Sequence, residues 1–599
     1  MTDGVSRFAD RFGGKRETVT IVGSGITGLM SAWEADKAGY KVHVISQSPD
    51  PRKEKEADNK QSQHSATFDG QDQRYITLFE GHPYLDLIEY VQAVYPDIGE
   101  DFMKPVLKGG VLAMPFEDFS KRSQEWLKKR KGINDRLQGN DRKLKKAIKK
   151  LFNTYAEENR AAMKKWYGFI GELLETDPNL VKKISLNHDG IMRLYDNKDV
   201  LEASAESHDA GHVFKKRYTP TELEKDFSAY KEGVDNGFIQ GGAVEMHGLT
   251  LGVKTIGEAM IRILKEKGVD FTFETHVKKI IKNDQGKVDG LQLADGNVVK
   301  SKHYILHPGA MGLQELCKEV APDVHNTIAA IEGYWITVDN AEKIVEKMGG
   351  KPNKVHGKQS IESLLNKVDA ETRAKFTEMF HALGVTDFEH IAPIVDFNIM
   401  PIYSEDGKVT LGAGSGYIFK GLPEPDEKGD PKFEGDKDLR SQQFVLALMK
   451  LWLVVLYGTE LLPIEKMNDL HKGCKRSWTI NDKEIDRNII TADGGVLAIR
   501  AGGNTGDTTK STFVAEYNIA LLQAVDKMQA DGKKVTQKAI REIGRDARKS
   551  LRKKPEEVDF EKLTAELDKK VADAKILATT AGRSGRPETS GPGAATGRS

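Results

Sequence analysis

Three glycines, Gly23, Gly25 and Gly28, stand in the run Gly-Ser-Gly-Ile-Thr-Gly, after a short apolar stretch and at the start of a helix-forming one. Each has a mechanical task at a diphosphate. Gly23 makes a tight turn, Gly25 lets the backbone approach the phosphates, and Gly28 lets a helix pack closely on a strand. Ser24, Ile26 and Thr27 lie between them, where backbone N–H groups and the positive end of a helix dipole meet anionic oxygens. A second glycine-rich run comes far later: Gly502, Gly503, Asn504, Thr505, Gly506, Asp507 and Thr508. It too joins a strand pattern to a helix pattern, and such a loop aims N–H groups and a helix dipole at developing negative charge.

Around the first run, residues 18–22, 27–37 and 41–45 alternate strand, helix and strand, with Gly39 as the helix stop. That is a βαβ unit of the size a dinucleotide fold requires. Its second strand leads into Ser46, Gln47 and Ser48, where an acid ordinarily binds the ribose hydroxyls. A hydroxyl or amide makes that contact more weakly than a carboxylate.

Downstream, residues 254–267 predict a helix, followed by alternating strands with hairpin turns at Asp284–Gly286 and Asp295–Gly296. Residues 313–383 read as mostly helical and mixed. Two strands flank Asp406-Gly407, helices are expected at 82–95, 438–457, 535–551 and 559–577, and the last 22 residues read as a disordered tail. The stretch 121–170 carries 16 Lys/Arg against 5 Asp/Glu. Leu144, Ile148, Leu151 and Tyr155, then Met163, Trp166, Ile170 and Leu173, give it two amphipathic helices with a solvated basic face.

Composition bounds the rest. A chain of 599 residues is too long for one core. Ninety basic residues balance 90 acidic ones, so no global field points to nucleic acid or an anionic membrane. Two cysteines, Cys317 and Cys474, make a disulfide framework improbable and fit a reducing cytoplasm. The longest apolar run is interrupted by Lys450 and is too short to span a bilayer. No HExxH, paired CxxC or Walker lysine motif appears, so no metal is expected.

In four segments the chain resembles the FAD-dependent oxidases of the D-amino-acid oxidase superfamily, the group of glycine and sarcosine oxidases. They are the βαβ unit at 19–46, residues 65–91 with Arg74, residues 248–280 with the strand ending before Gly309, and residues 494–520. The resemblance implies a Rossmann-type FAD-binding domain and a substrate domain with a mixed or antiparallel sheet and inserted helices (α/β with an α+β second domain). It implies FAD as cofactor, Val277 over the adenine, and the 502–508 loop at the N1–C2=O edge of the reduced flavin. Arg74 would stand beside the flavin, and Arg476 would clamp a substrate carboxylate in a bidentate fork. Lys510 would place a cation where oxygen reacts, Tyr403 would line the substrate cavity, and Cys474 sits where some members attach the flavin. Each of these side chains has an ordinary structural alternative, as do His247 and His307.

The corresponding domain order is FAD-binding at 15–95, 246–312 and 484–530, substrate-binding at 96–245 and 313–483, a helical extension at 531–577 and a tail at 578–599. The expected activity is hydride transfer to flavin from an amino acid or related amine. A 2-hydroxy acid or alcohol as substrate, or a non-catalytic flavoprotein that recruits a partner, are the alternatives. The partners implied are a small substrate, without nucleic acid or a membrane span.

Overall fold

The computed structural model describes residues 16–53, 68, 73–78, 116–138, 142–322, 329–389, 394–404, 406–422, 424–425, 431–432, 440–470, 475–478, 485–501 and 508–583. The expected helix at 82–95 lies outside these residues, as do Gly502–Asp507 and Cys474.

The N-terminal βαβ unit forms as expected, with strands Thr18–Val22 and Lys41–Ile45 around the helix Ile26–Lys37. It sits inside a six-stranded sheet ordered Ile485–Ile490, Val496–Ala501, His303–Leu306, Thr18–Val22, Lys41–Ile45 and Asp270–Thr272. All neighbours are parallel except the edge strand Ile485–Ile490. Period-two alternation assigns the two faces. Val19, Ile21, Val42, Val44, Ile305 and Ala498 face a core with the helices Ile26–Lys37, Val253–Glu266 and Ser511–Ala530. Val22, Ile45, Leu306, Leu497 and Ile499 face Val277, Ile280 and Leu291 of the three-stranded sheet Val277–Lys282, Val288–Leu293 and Val298–Val299. The sheet is therefore covered on both sides, as a parallel sheet must be.

A second, nine-stranded sheet runs Met467–Leu470, Ala329–Val338, Val409–Gly421, Ile394–Tyr403, Asn353–Lys358, Ile191–Tyr195, Gly242–Met246 and Phe214–Tyr218, with Lys475–Trp478 also paired to Ala329–Val338. Only Asn353–Lys358 and Ile191–Tyr195 pair in parallel. One face packs on the apolar helix Arg440–Leu461, which kinks at Gly458. From the other, Ile191, Met246, Trp335 and Met400 join the core of the first unit.

The stretch 313–383 is mixed, as expected, and beside its helices contributes two strands, Ala329–Val338 and Asn353–Lys358, to the large sheet. Other expectations are corrected. The two basic amphipathic helices consist of Lys121–Gln138 and a single 35-residue helix Arg142–Thr176, which carries both apolar repeats. From Tyr155 onward that helix is largely covered, with Tyr155, Glu158, Arg160, Met163, Trp166 and Ile170 all buried. The final helix, Phe560–Arg583, continues beyond the expected start of the tail. It lies along Arg142–Thr176, with Tyr167 and Phe560 rings 6.2 Å apart. No helix among the described residues is long and apolar enough to cross a membrane.

Candidate FAD site

The glycine turn follows directly from the strand Thr18–Val22. Gly23 has φ +106°, and its N–H donates to the Ile45 carbonyl at 2.8 Å. A β-carbon there would lie 2.0 Å from the His307 carbonyl oxygen. One on Gly28 would lie 1.9 Å from the Gly23 carbonyl oxygen. Both glycines are thus enforced by backbone contact. Gly25 precedes the helix in extended conformation without a side-chain cap, and no acid stands in the first turn. Ile26 and Thr27 open that turn, so its dipole points at the space above Gly23–Gly25.

The end of the second strand, where the resemblance places the ribose, carries no free acid. The buried hydroxyls of Ser24 and Ser46 are 2.7 Å apart. Ser46 is fixed by its N–H to Thr272 and its carbonyl from Thr275, both 2.9 Å. Gln47 is exposed. The next acid, Asp50, is committed elsewhere: burial would raise its pKa, but hydrogen bonds from Arg52 and Lys265 outweigh this and hold it at about 2. Val277 is buried against Val22 and Ile45, and the segment leading to it bonds back to Ser46 and Ser48.

Strands Thr18–Val22, His303–Leu306 and Val496–Ala501 are parallel neighbours. Their carboxyl ends therefore open on one edge of the sheet, the outer two about 10 Å apart. Gly23 leaves the first and His307-Pro308-Gly309 the second, where Gly309 starts a helix at φ +78°. The third leads toward Thr508 and the helix Ser511–Ala530. His307 Nε2 lies 3.2 Å from Asn518 Nδ2 on that helix and 3.3 Å from Ser31 Oγ on the glycine-turn helix. Burial, with Arg500 nearby, pushes His307 down to about 3, so it is neutral at physiological pH.

Thr508 is buried, and its carbonyl accepts from Trp166 Nε1 at 3.0 Å and Ser511 Oγ at 2.7 Å. Thr509 Oγ1 contacts the backbone of Tyr75 and Thr77. Lys510 is buried over the Tyr155 ring, 3.1 Å from Glu158 Oε2. Arg74 is buried in the strand Gln73–Ile76, which pairs with Leu249–Gly252. Tyr75 of that strand donates to the carbonyls of Asn353 and Ile399 in the large sheet, so Arg74 points away from that sheet.

The structure does not bring Tyr403 and Arg476 together. Arg476 lies opposite Ile331, whose other neighbour is Phe419. Tyr403 lies opposite Val409, ten residues along the same strand, or about 33 Å away. Tyr403 is also half-exposed at a strand end, its carbonyl accepting from Ser185 Oγ at 2.7 Å. Of the arginine, only the backbone is described.

A family model for FAD-dependent oxidoreductases, DAO, matches residues 18–362, more than half of the chain. The chain belongs to this family. FAD is accordingly the cofactor of this oxidoreductase, and the residues present fit it. The turn admits no β-carbon at Gly23 or Gly28, and the helix that follows begins without a side-chain cap, as a diphosphate cradle requires. No curated protein matches the chain by sequence. Among solved structures, it is similar to glycine oxidase from Bacillus cereus ATCC 14579, at 11% identity over 85% of this chain and 95% of that one, TM-score 0.46. Iminodiacetate oxidase from Chelativorans sp. BNC1 gives 14% identity over 85% and 95%, TM-score 0.45. L-proline dehydrogenase from P. horikoshii gives 12% over 87% and 94%, TM-score 0.44.

Proposed function

We propose that this FAD-dependent oxidoreductase oxidises the carbon–nitrogen bond of an amino acid or a related amine. The observation that carries the reading is the shared sheet edge. The glycine turn, the His307–Gly309 segment and the start of the helix Ser511–Ala530 all open there, so one extended dinucleotide can lie across it. FAD, when bound, supplies the two-electron acceptor for a hydride from the amine carbon.

The protein's own residues bind and orient. Gly23–Gly28 with the Ile26–Lys37 helix would hold the diphosphate, Ser24 and Ser46 the ribose, and Val277 the adenine side. The N-terminus of Ser511–Ala530 would stabilise negative charge at the far end. Arg74 would add positive charge near that end, where Lys510 is held in an ion pair with Glu158. Arg476 stays the proposed carboxylate clamp on the wall formed by the large sheet, and the sheet register argues against Tyr403 sharing that cavity.

The test is anaerobic titration of the purified holoprotein with amino acids, N-methyl amines and 2-hydroxy acids. Bleaching by an amine, with loss of the response in Arg476→Met for carboxylate-bearing amines alone, supports the reading. Reduction by 2-hydroxy acids only, or flavin that no substrate reduces, overturns it.

A further inference from the structure

The inserted helix Arg142–Thr176 carries one fully buried carboxylate, Glu158. Burying such a group alone costs several kcal/mol, so it must be compensated. Three separate parts of the chain do so. Lys510, at the start of the helix Ser511–Ala530, lies 3.1 Å from Oε2. Arg548 reaches both oxygens in a fork, Nε to Oε1 at 2.6 Å and a terminal nitrogen to Oε2 at 3.0 Å. Arg552 reaches Oε1 at 3.2 Å. Arg500, which ends one strand of the parallel sheet, adds attraction from further away and stacks 4.7 Å over Tyr517. Burial would raise the Glu158 pKa, yet these cations hold it well below its ordinary value, so it is ionised.

The same face of the inserted helix grips the start of Ser511–Ala530 at further points. Trp166 Nε1 donates to the carbonyls of Thr508 and Thr509, at 3.0 and 3.2 Å. Thr512 Oγ1 donates to the Ala162 carbonyl at 3.0 Å, and Lys165 pairs with Glu516 at 2.9 Å. Arg548 and Arg552 belong to the C-terminal extension, on and just after the helix Gln537–Leu551.

We infer that Glu158 is a positioning residue for the flavin end of the site, and that the C-terminal extension acts on that site through it. Resting on the proposed function, the inference assigns a role to two parts of the chain that the FAD-binding motifs leave unexplained. Glu158 fixes Lys510, and with it the N-terminal turn whose dipole stabilises reduced flavin. Arg548 and Arg552 hold the carboxylate in place and contribute positive potential behind that turn.

The experiment compares the holoprotein with Arg548→Met/Arg552→Met, Glu158→Gln and Glu158→Asp. The readouts are the FAD dissociation constant, the midpoint potential of bound flavin and the melting temperature. The double variant is expected to weaken FAD about tenfold, equal to about 1.4 kcal/mol, and to lower the potential. Glu158→Gln is expected to weaken FAD at least as much, with partial recovery in Glu158→Asp, which keeps the charge. Because Arg548 and Arg552 are partly exposed, the double variant stays informative even where Glu158→Gln does not fold. A lower melting temperature with FAD affinity and potential unchanged overturns the inference and leaves the function standing. A wild-type chain that takes up no FAD overturns both.

Discussion

Gly23 is held by two constraints, a left-handed φ of +106° and a carbonyl where its β-carbon would go. Gly23→Ala must therefore move the His307–Pro308 backbone or the turn itself. We expect it to fold with a loss of about 1–3 kcal/mol and to retain little flavin, read as the absorbance ratio of purified protein. Gly39→Ala is the control. That residue has φ +86° but nothing within 4 Å, so its substitution should cost about 1 kcal/mol and leave flavin content intact. Equal flavin loss in both would mean that strain, not the cradle, is being read. His307 and His208 give a pH prediction, because burial lowers each to about 3. In the unfolded chain they protonate near 6.5, so between that value and about 3 the unfolded state binds more protons. Stability should fall as pH drops through this window, by about 1.4 kcal/mol per unit for each histidine. Glu158 joins only below its unfolded value of 4.5. A urea midpoint that stays flat from pH 7.5 to 5 would contradict this, and His307→Asn should flatten part of the slope. The glycines were legible in the sequence because only glycine meets such geometry. Glu158 was not, since one acid within a basic stretch carries no sign of its burial.

Elements show the same divide. The helix Val253–Glu266 follows closely from periodicity, because it buries one regular face, and the βαβ unit follows from its short apolar strands around the glycine turn. The strand Ala329–Val338 was hidden, for its partners Val409–Gly421, Met467–Leu470 and Lys475–Trp478 are all more than 70 residues away. Local pattern cannot report pairing of that range. The inserted helix was read as two because its polar residues 157–160 interrupt the apolar stripe, yet in the fold Glu157, Glu158 and Arg160 meet the C-terminal extension. The terminal helix Phe560–Arg583 buries Phe560, Leu567, Val571 and Ala574 against the core. Leu567→Ala should therefore cost about 2–4 kcal/mol, visible as a lower melting temperature. A surface-like response below about 0.5 kcal/mol would mean that the helix is not docked in solution.

At the scale of the molecule, a parallel sheet is joined to a large mixed sheet through a shared core, to which Val19, Ile21 and Ile305 of the first and Ile191, Met246, Trp335 and Met400 of the second contribute. The strand Gln73–Ile76 bridges them, its Tyr75 hydroxyl donating to Asn353 and Ile399 of the large sheet and its backbone carbonyl accepting from Thr509. The composition already required more than one unit, but the sheet that positions Arg476 could only be seen once its long-range pairs were formed. The central claim is that FAD lies across the carboxyl edge of the parallel sheet with its ring toward the start of Ser511–Ala530. The most direct measurement is the visible spectrum of the purified chain after reconstitution with FAD, followed by anaerobic addition of amine substrates. The account predicts stoichiometric flavin whose visible absorbance bleaches on reduction. A folded protein that stays colourless and binds no FAD would contradict it.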